Sequence, residues 1–572
     1  MEYPIVAILF GSFLVLLLIG APITVSLAVS ALACFWVLDI DPVRMVQIAY
    51  TSVGSFPLMA LPAFVLAGAL MEAAGISRRL VDIAEALAGP VTGGLGMATV
   101  LACVFFGAIS GSGPATTAAV GMLMVPAMTR RGYDKAYAGA VTAASGGIGI
   151  IIPPSIPMVI FGVAAMGLQI PSAAVARHGE FASLSIPKLF MAGAVPGLVM
   201  ALALILVNYL ISRRRGYRGL TDTWSGRAIV EALRHGVWSL VAPFIILGSI
   251  YSGLFTPTES AVVAIAYTLL VGVVLHREIT WARAREALLA TTWITGRVLL
   301  ILFAATVFGR VLVEEEIPAQ LAAQLLGMTD SLEVVWLFLI VLLLFVGMFM
   351  ETLAAIMILV PVLMPIMYML GADPTHVGIM VICALSIGFQ TPPLGENLFV
   401  ASGISGMTVE QIVVKVVPFT LVSILALLLI AYVPALSLWL PAMMGYDWGN
   451  GLMLLLSWKR RAAGAWLAGR SGMLGRMAYD ETLAQRIRER LAGIPSLREV
   501  KMFGGLSFMV DGRIVAFASR SGDMMVRCPP EDEERLLAEA GDTAQPARIG
   551  NRKQQQKTTG WITVRADALT EP

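Results

Sequence analysis

Of 572 residues, 58% are hydrophobic and 13% are charged, and a mean hydropathy of +0.84 leaves too little polar surface for a water-soluble fold, so the chain is a polytopic membrane protein. A net charge of +2 does not imply nucleic acid as a partner, and Cys34, Cys103, Cys383 and Cys528 lie too far apart for a CxxC pair or a disulfide framework. His178, His235, His276 and His376 show no ligand spacing, so no transition-metal site is expected.

Met1 to Pro4 lack a basic region, so Ile5 to Ile19 reads as a first membrane helix rather than a cleaved signal. Gly20-Ala21-Pro22 turns or kinks the chain into Ile23 to Leu38, and a polar stretch around Asp39, Asp41 and Arg44 leads to a third segment, Pro57 to Met71. Ser77 to Leu87 is amphipathic, with Arg78, Arg79, Asp82 and Glu85 opposite Leu80, Ile83, Ala84 and Leu87, and is expected along the membrane surface. Gly93 to Met128 spans about 54 Å as helix against a bilayer core of about 30 Å, which suits a re-entrant hairpin with Ser110 to Gly113 at its tip. Asp134 to Ala165 is a single crossing whose middle, Gly146 to Pro154, is too rich in Gly and Pro to stay helical. A polar loop holding Arg177, His178 and Glu180 precedes a plain crossing, Leu189 to Ile211, that ends in Arg213-Arg214-Arg215.

The second half repeats the first. Pro22 is matched by Pro257, Gly68 and Ile76 by Gly309 and Ile317, Gly132 by Gly371, and Gly149, Pro153 and Pro154 by Gly388, Pro392 and Pro393, most of them about 240 residues further on. The second hairpin is then Val334 to Leu370, with its tip at Met348 to Thr352. This gives a membrane domain over 1–444, with repeats over about 5–165 and 240–405, a linking helix over 188–211 and a last helix over about 416–440. An odd number of crossings between equivalent points makes the repeats inverted. The basic clusters at Arg78, Arg130, Arg213 to Arg218 and Arg277 to Arg285 mark the cytoplasmic side, and Glu314 to Glu316 fall outside. The first hairpin thus opens to the cytoplasm and the second to the outside. Residues 445–476 form a Gly/Ala/Arg-rich linker, and 477–572 read as a small soluble α+β domain with an Asp511-Gly512 hairpin turn and a charged helix over Glu531 to Ala540.

Opened backbone inside a bilayer is tolerated where it is buried in protein or lines a wet cavity. Helix-end carbonyls suit a cation, and the free N–H groups where the next half-helix starts suit an anion. The expected sodium ligands are Ser110, Ser112 and the carbonyls of Gly149, Ile152 and Pro153 in the first half, and Gly347, Gly388, Thr391 and Leu394 in the second. The anion is expected between them, near Pro154, Ser155, Glu351, Gly395 and Asn397, where half-helices begin after Pro114, Pro154 and Pro393. Ser112 and Ser155 are placed to cap those starts. Plainer roles compete: a lone Gly-Pro break is a kink, Glu351 could pair with a neighbour, Glu396 and Asn397 could cap a half-helix, and Arg310 could pair with Glu314 to Glu316. A channel would line its pore with polar rings and an intramembrane enzyme would need a paired nucleophile and base, and the sequence offers neither.

The motifs FGAISGSGPAT (106–116), GIGIIIPPSIP (147–157), FTPTESA (255–261) and TPPLG (391–395) resemble the signatures of the DctM-like large membrane subunit of TRAP transporters, over about 4–443. The resemblance implies an elevator-type, sodium-driven importer of a small organic anion such as a C4-dicarboxylate, in a bacterial inner membrane. It also implies two partners, a small four-helix DctQ-like membrane subunit and a periplasmic DctP-like solute-binding protein, and no cofactor beyond the coupling ion Na+. An acidic residue at Glu351 fits the family pattern, whereas the position of Glu396 is often apolar in it. The tail, with KMFGGLSFM at 501–509, a strand from Asp523 to Arg527 and Gly560-Trp561, resembles the N-terminal domain of TfoX-like competence regulators, a soluble intracellular module without catalysis; Gln545 to Lys557 departs from that pattern. Crossing parity would leave such a domain outside the cell, so a gene fusion or read-through is expected. Truncation after Met444 should leave uptake intact, and lost uptake by a truncated chain that reaches the membrane would refute this.

Overall fold

The computed structural model describes residues 3–444 except 54–55, 169, 179–180, 220, 222, 316, 318–319, 321–330 and 393–394, together with 484–488, 498–502, 505–510, 513–518, 524–527, 533–540, 544–549 and 556–564 of the tail. It divides into two compact units, Met1–Arg461 and Ala462–Pro572.

The first unit is helical. Helices α1 (Tyr3–Leu18) and α2 (Ile23–Val37) meet at Gly20, whose φ of +84° only glycine adopts freely. The polar stretch after Asp39 does not stay a loop, because Pro42 opens an amphipathic helix α3 (Pro42–Val53). Helices α4 (Ala60–Ala73) and α5 (Ile76–Ala88) are bent 70° apart at Gly75. The apolar face of α5 is not spread on a membrane surface; Ile76, Leu80, Ile83 and Ala84 are buried, packed against α6 (Gly94–Ser110) and α12 (Gly226–Tyr251).

The first hairpin is α6 and α7 (Gly113–Arg130), with its tip at Gly111-Ser112. The broken crossing follows as α8 (Lys135–Gly146), a 3-10 turn over Gly147–Ile150, and α9 (Ile156–Met166). Asp134 starts α8 by accepting the Tyr137 N–H at 2.8 Å. Part of the expected polar loop is helix α10 (Ser172–His178), where the His178 ring bonds the Met369 carbonyl at 2.9 Å. The linking helix α11 (Ile186–Arg215) exceeds the apolar run by a turn at its cytoplasmic-type arginine end, because Arg213 to Arg215 complement the helix C-terminus.

Next come α12, α13 (Pro257–Leu269), which widens into π-helical turns over Leu270–Leu275, and α14 (Trp281–Glu314), which packs on α2, α3 and α4. The second hairpin, α15 (Leu332–Phe349) and α16 (Thr352–Met369), and the second broken crossing, α17 (Pro374–Gly388) and α18 (Glu396–Ser405), repeat the earlier order of elements. The expected last helix is in fact two, α19 (Val409–Tyr432) and a short α20 (Ala435–Met443), divided at Pro434. Among the described residues seven helices are long and apolar enough to cross a membrane.

Helices α8 and α17, which lead into the breaks, are buried along their lengths. Small residues make this possible in α8, whose Ala136-Tyr-Ala-Gly-Ala-Val-Thr-Ala-Ala-Ser-Gly run lets α7 and α19 approach closely. At the start of α17, Asp373 accepts the N–H groups of Thr375 and His376 and lies 3.8 Å from the Lys188 ammonium, both side chains nearly sealed from solvent. Such a pair offsets its own desolvation only while both charges are present.

The second unit holds an antiparallel sheet of strands β1 (Arg498–Met502), β2 (Gly505–Val510), β3 (Arg513–Ala518), β4 (Met524–Arg527), β5 (Ala544–Ile549) and β6 (Gln556–Val564), in the order β1-β2-β3-β4-β6-β5. Pairing of Val510 with Arg513 brackets the expected Asp511-Gly512 turn, whose residues lie outside the described ones. Helix α21 (Glu533–Ala540) matches the charged helix, and Leu506, Phe508, Ala516 and Ala518 form a small core with Ala484 and Ile487.

Candidate functional site

Each hairpin tip is tied to the break that follows it, in matching ways. Ile156 at the start of α9 donates its N–H to the Gly111 carbonyl at 3.3 Å, and Gly395 at the start of α18 donates to the Met348 carbonyl at 3.4 Å. The backbones also touch where glycines permit it. A Cβ on Gly107 would sit 2.9 Å from the Cα of Gly149, and one on Gly388 would sit 2.6 Å from the Cα and carbonyl oxygen of Gly347.

At the first junction, neutral oxygens collect around Gly149. The Ser110 and Thr116 hydroxyls are 2.9 Å apart, Thr116 donates to the Ser112 carbonyl at 2.7 Å, and a Cβ on Gly149 would run into Thr116 Oγ1 and lie 2.8 Å from that carbonyl. Thr116 was not singled out from sequence; it lies one turn into α7, on the face that carries Ser112. Ser112, which borders a cavity, does not cap α7 with its side chain, whereas Ser155 does cap α9, accepting from Met158 N–H at 3.4 Å while donating to the Ile150 carbonyl at 2.6 Å. Ile152 and Pro153 are buried beyond this cluster, Ile152 against Gly197 of α11.

At the second junction the Thr391 hydroxyl donates to the Ile387 carbonyl at 2.6 Å, leaving its lone pairs free to ligate. Leu394 lies outside the described residues. The junctions are also joined to each other, since Ser386 of α17 donates to the Gly147 carbonyl at 2.7 Å.

Between them is a cavity of about 240 Å³. It is bordered by the first residues of α7 (Gly113, Pro114, Ala115), α9 (Ile156, Pro157), α16 (Thr352, Leu353) and α18 (Glu396), so four helix N-termini face one space. Arg297 of α14 enters it and pairs with Glu351 at 3.0 Å, the arginine 55% and the carboxylate 20% exposed. Of the five expected anion contacts, Glu351 borders the cavity. Pro154, Ser155, Gly395 and Asn397 do not; Asn397 is buried, donating to the Ala143 carbonyl at 3.0 Å and tying α18 to α8. Arg297 was missed from sequence because a lone arginine in a long apolar helix looks the same whether it snorkels or lines a site. A larger cavity of about 600 Å³ lies between α3, α9, α14 and α16, but its lining is apolar apart from Thr306 and Arg310, and Arg310 is engaged with Glu314 at 2.8 Å.

Residues 10–436 match the family described as the tripartite ATP-independent periplasmic transporter, DctM component, and residues 489–572 match the TfoX N-terminal domain. The chain is 37% identical over 443 residues to the C4-dicarboxylate TRAP transporter large permease protein DctM of Rhodobacter capsulatus, covering 77% of this chain and 99% of that one. It is 37% identical over 440 residues to the sialic acid TRAP transporter large permease protein SiaM of Vibrio cholerae, again 77% and 99%. It is 42% identical over 432 residues to the isethionate TRAP transporter permease protein DctMQ of Oleidesulfovibrio alaskensis, where the match covers 75% of this chain and 65% of that longer protein. Among solved structures, the Alcanivorax borkumensis YdaH transporter aligns with a TM-score of 0.49 at 15% identity, over 71% of this chain and 88% of that one.

Proposed function

The chain belongs to the DctM family of large TRAP permease subunits, multi-pass inner-membrane proteins for organic-anion uptake, and from that premise we propose that it imports a small carboxylate or sulfonate coupled to sodium. The observation that carries this reading is the 240 Å³ cavity with Arg297 and four helix N-termini around it. Each terminus favours an anion by up to about 2 kcal/mol in a partly buried setting, and the arginine supplies a planar pair of donors for its oxygens. The cavity's size suits a few-carbon anion better than a bulky sugar acid. Sodium would sit where neutral oxygens gather, at Ser110, Ser112 and Thr116 beside Gly149 in one half and at Thr391 beside Gly388 and Gly347 in the other. An ion at either place bridges a hairpin tip to a broken crossing and so shapes the anion cavity between them. Sodium and anion then raise each other's affinity by the same factor.

The same reading takes the two halves as inverted, with α6/α7 opening to the cytoplasm and α15/α16 to the outside. It takes as partners a small membrane subunit and a periplasmic solute-binding protein that delivers the anion. The test is uptake of labelled succinate, fumarate and isethionate by proteoliposomes holding the assembled transporter. An inward sodium gradient should drive accumulation of one of them; accumulation that follows a proton gradient and ignores sodium would refute the coupling. Ser110→Ala and Thr391→Ala each remove one neutral ligand from sodium, so the sodium concentration for half-maximal uptake should rise severalfold and saturating sodium should restore much of the rate. Unchanged sodium dependence in both variants would reduce the breaks to hinges.

A further inference from the structure

The two halves of the chain do not border the anion cavity alike. The helix N-termini supplied by the first half carry no acid, since the first turns of α7 and α9 hold none and serines precede both. Those supplied by the second half each carry a carboxylate, with Glu351 just before α16 and Glu396 as the first residue of α18. Taking the transport function above as given, we propose that the substrate is a small ω-amino acid, a carboxylate or sulfonate whose other end bears an ammonium group, and that Glu396 selects the ammonium.

Among the described residues Arg297 is the one cation bordering this space, and it faces both carboxylates. It is bound to one of them, through Nη2 to Glu351 at 3.0 Å, which leaves its other donors for an acid group. Glu396 is placed differently. Among the described residues its side chain makes no hydrogen bond and no ion pair, not even back to the start of its own helix, while the charges of Glu351 and Arg297 both reach it. A half-buried carboxylate left without a partner is costly at membrane depth. A second acid group on the substrate would add a like charge beside it, whereas an ammonium supplies the missing partner.

Each end of such a substrate then meets its complement. The acid group takes the acid-free starts of α7 and α9 together with Arg297, where N–H groups and helix dipoles favour negative charge. The ammonium takes the side of the cavity where Glu396 stands. An uncharged hydroxyl in its place would leave that carboxylate without a counter-charge.

The experiment compares matched pairs of substrates. Taurine and isethionate share a sulfonate and the same carbon chain and differ in ammonium against hydroxyl; β-alanine and its hydroxy counterpart form the matching carboxylate pair. Sodium-driven uptake of all four is measured in proteoliposomes holding the assembled transporter, alongside succinate and fumarate. One amino member should exceed its hydroxy twin by about tenfold or more in kcat/KM. Glu396→Gln should erase most of that preference, with the loss falling on the amino member, and Glu396→Asp should restore part of it. Equal or better uptake of the hydroxy twins by the wild-type chain, uptake of succinate or fumarate alone, or a preference unchanged in Glu396→Gln would each overturn the proposal and leave the transport function standing. Uptake of none of these compounds under a sodium gradient would overturn the transport function with it.

Discussion

Arg297→Gln should abolish measurable uptake while the chain still folds and inserts. Its guanidinium is 55% exposed where it meets Glu351, so the ion pair itself adds little to stability and its loss should be tolerated. Towards a bound anion the balance differs, because among the described residues Arg297 is the one cation bordering the cavity, where it also offsets the carboxylates of Glu351 and Glu396. Removing one partner of a desolvated charged contact costs about 2–5 kcal/mol, or about 30-fold and upwards in kcat/KM. Arg297→Lys keeps the charge but loses the planar fork, so it should recover part of that loss, chiefly in KM. Concentration curves for uptake would decide the matter, and a wild-type KM in Arg297→Gln would remove Arg297 from the site.

The other large effect is steric. Gly388→Ala pushes a methyl group into the backbone of Gly347, where the nearest contact would be 2.5 Å and every atom met is backbone, with no flexible side chain to yield. Overpacking of this kind costs about 1–3 kcal/mol, and here it also pries the second hairpin tip from its break. Transport should be lost with a marked fall in thermal stability, and Gly149→Ala should behave likewise against Thr116 and Ser112. Gly403→Ala in α18 has nothing within 4 Å and should be neutral or stabilising by up to about 1 kcal/mol. Wild-type transport and stability in Gly388→Ala would mean that the close contact is dispensable.

These two sites differ in how legible they were. Length alone made the hairpin over Gly93 to Met128 readable, since that many apolar residues cannot cross once, and α6 and α7 do turn at Ser110 to Gly113. The breaks were readable for the same kind of reason, because Gly147 to Pro154 cannot continue a helix whatever surrounds it. Side-chain direction at a break is not encoded so locally. Asn397 turns inward to α8 and Glu396 outward to the cavity, and one step along the chain separates them. Arg297 approaches from a helix that belongs to neither break, so no spacing in the motifs could point to it. Strands β5 and β6 escaped notice because Ala544 to Lys557 is polar and lacks alternation, so their pairing comes from the sheet rather than from pattern. Helix α10 is short and polar-flanked, so packing rather than periodicity decides it, and α3, though amphipathic, is only 12 residues long.

The most direct test is the thermal unfolding of the purified chain in sodium chloride and in potassium chloride at equal ionic strength, without substrate or partners. A ligand that binds only the folded state raises stability with the logarithm of its concentration above Kd. Sodium should raise the unfolding temperature saturably where potassium does not, and the rise should be smaller in Thr116→Val and in Thr391→Val. Superimposable sodium and potassium curves for the wild-type chain would contradict it.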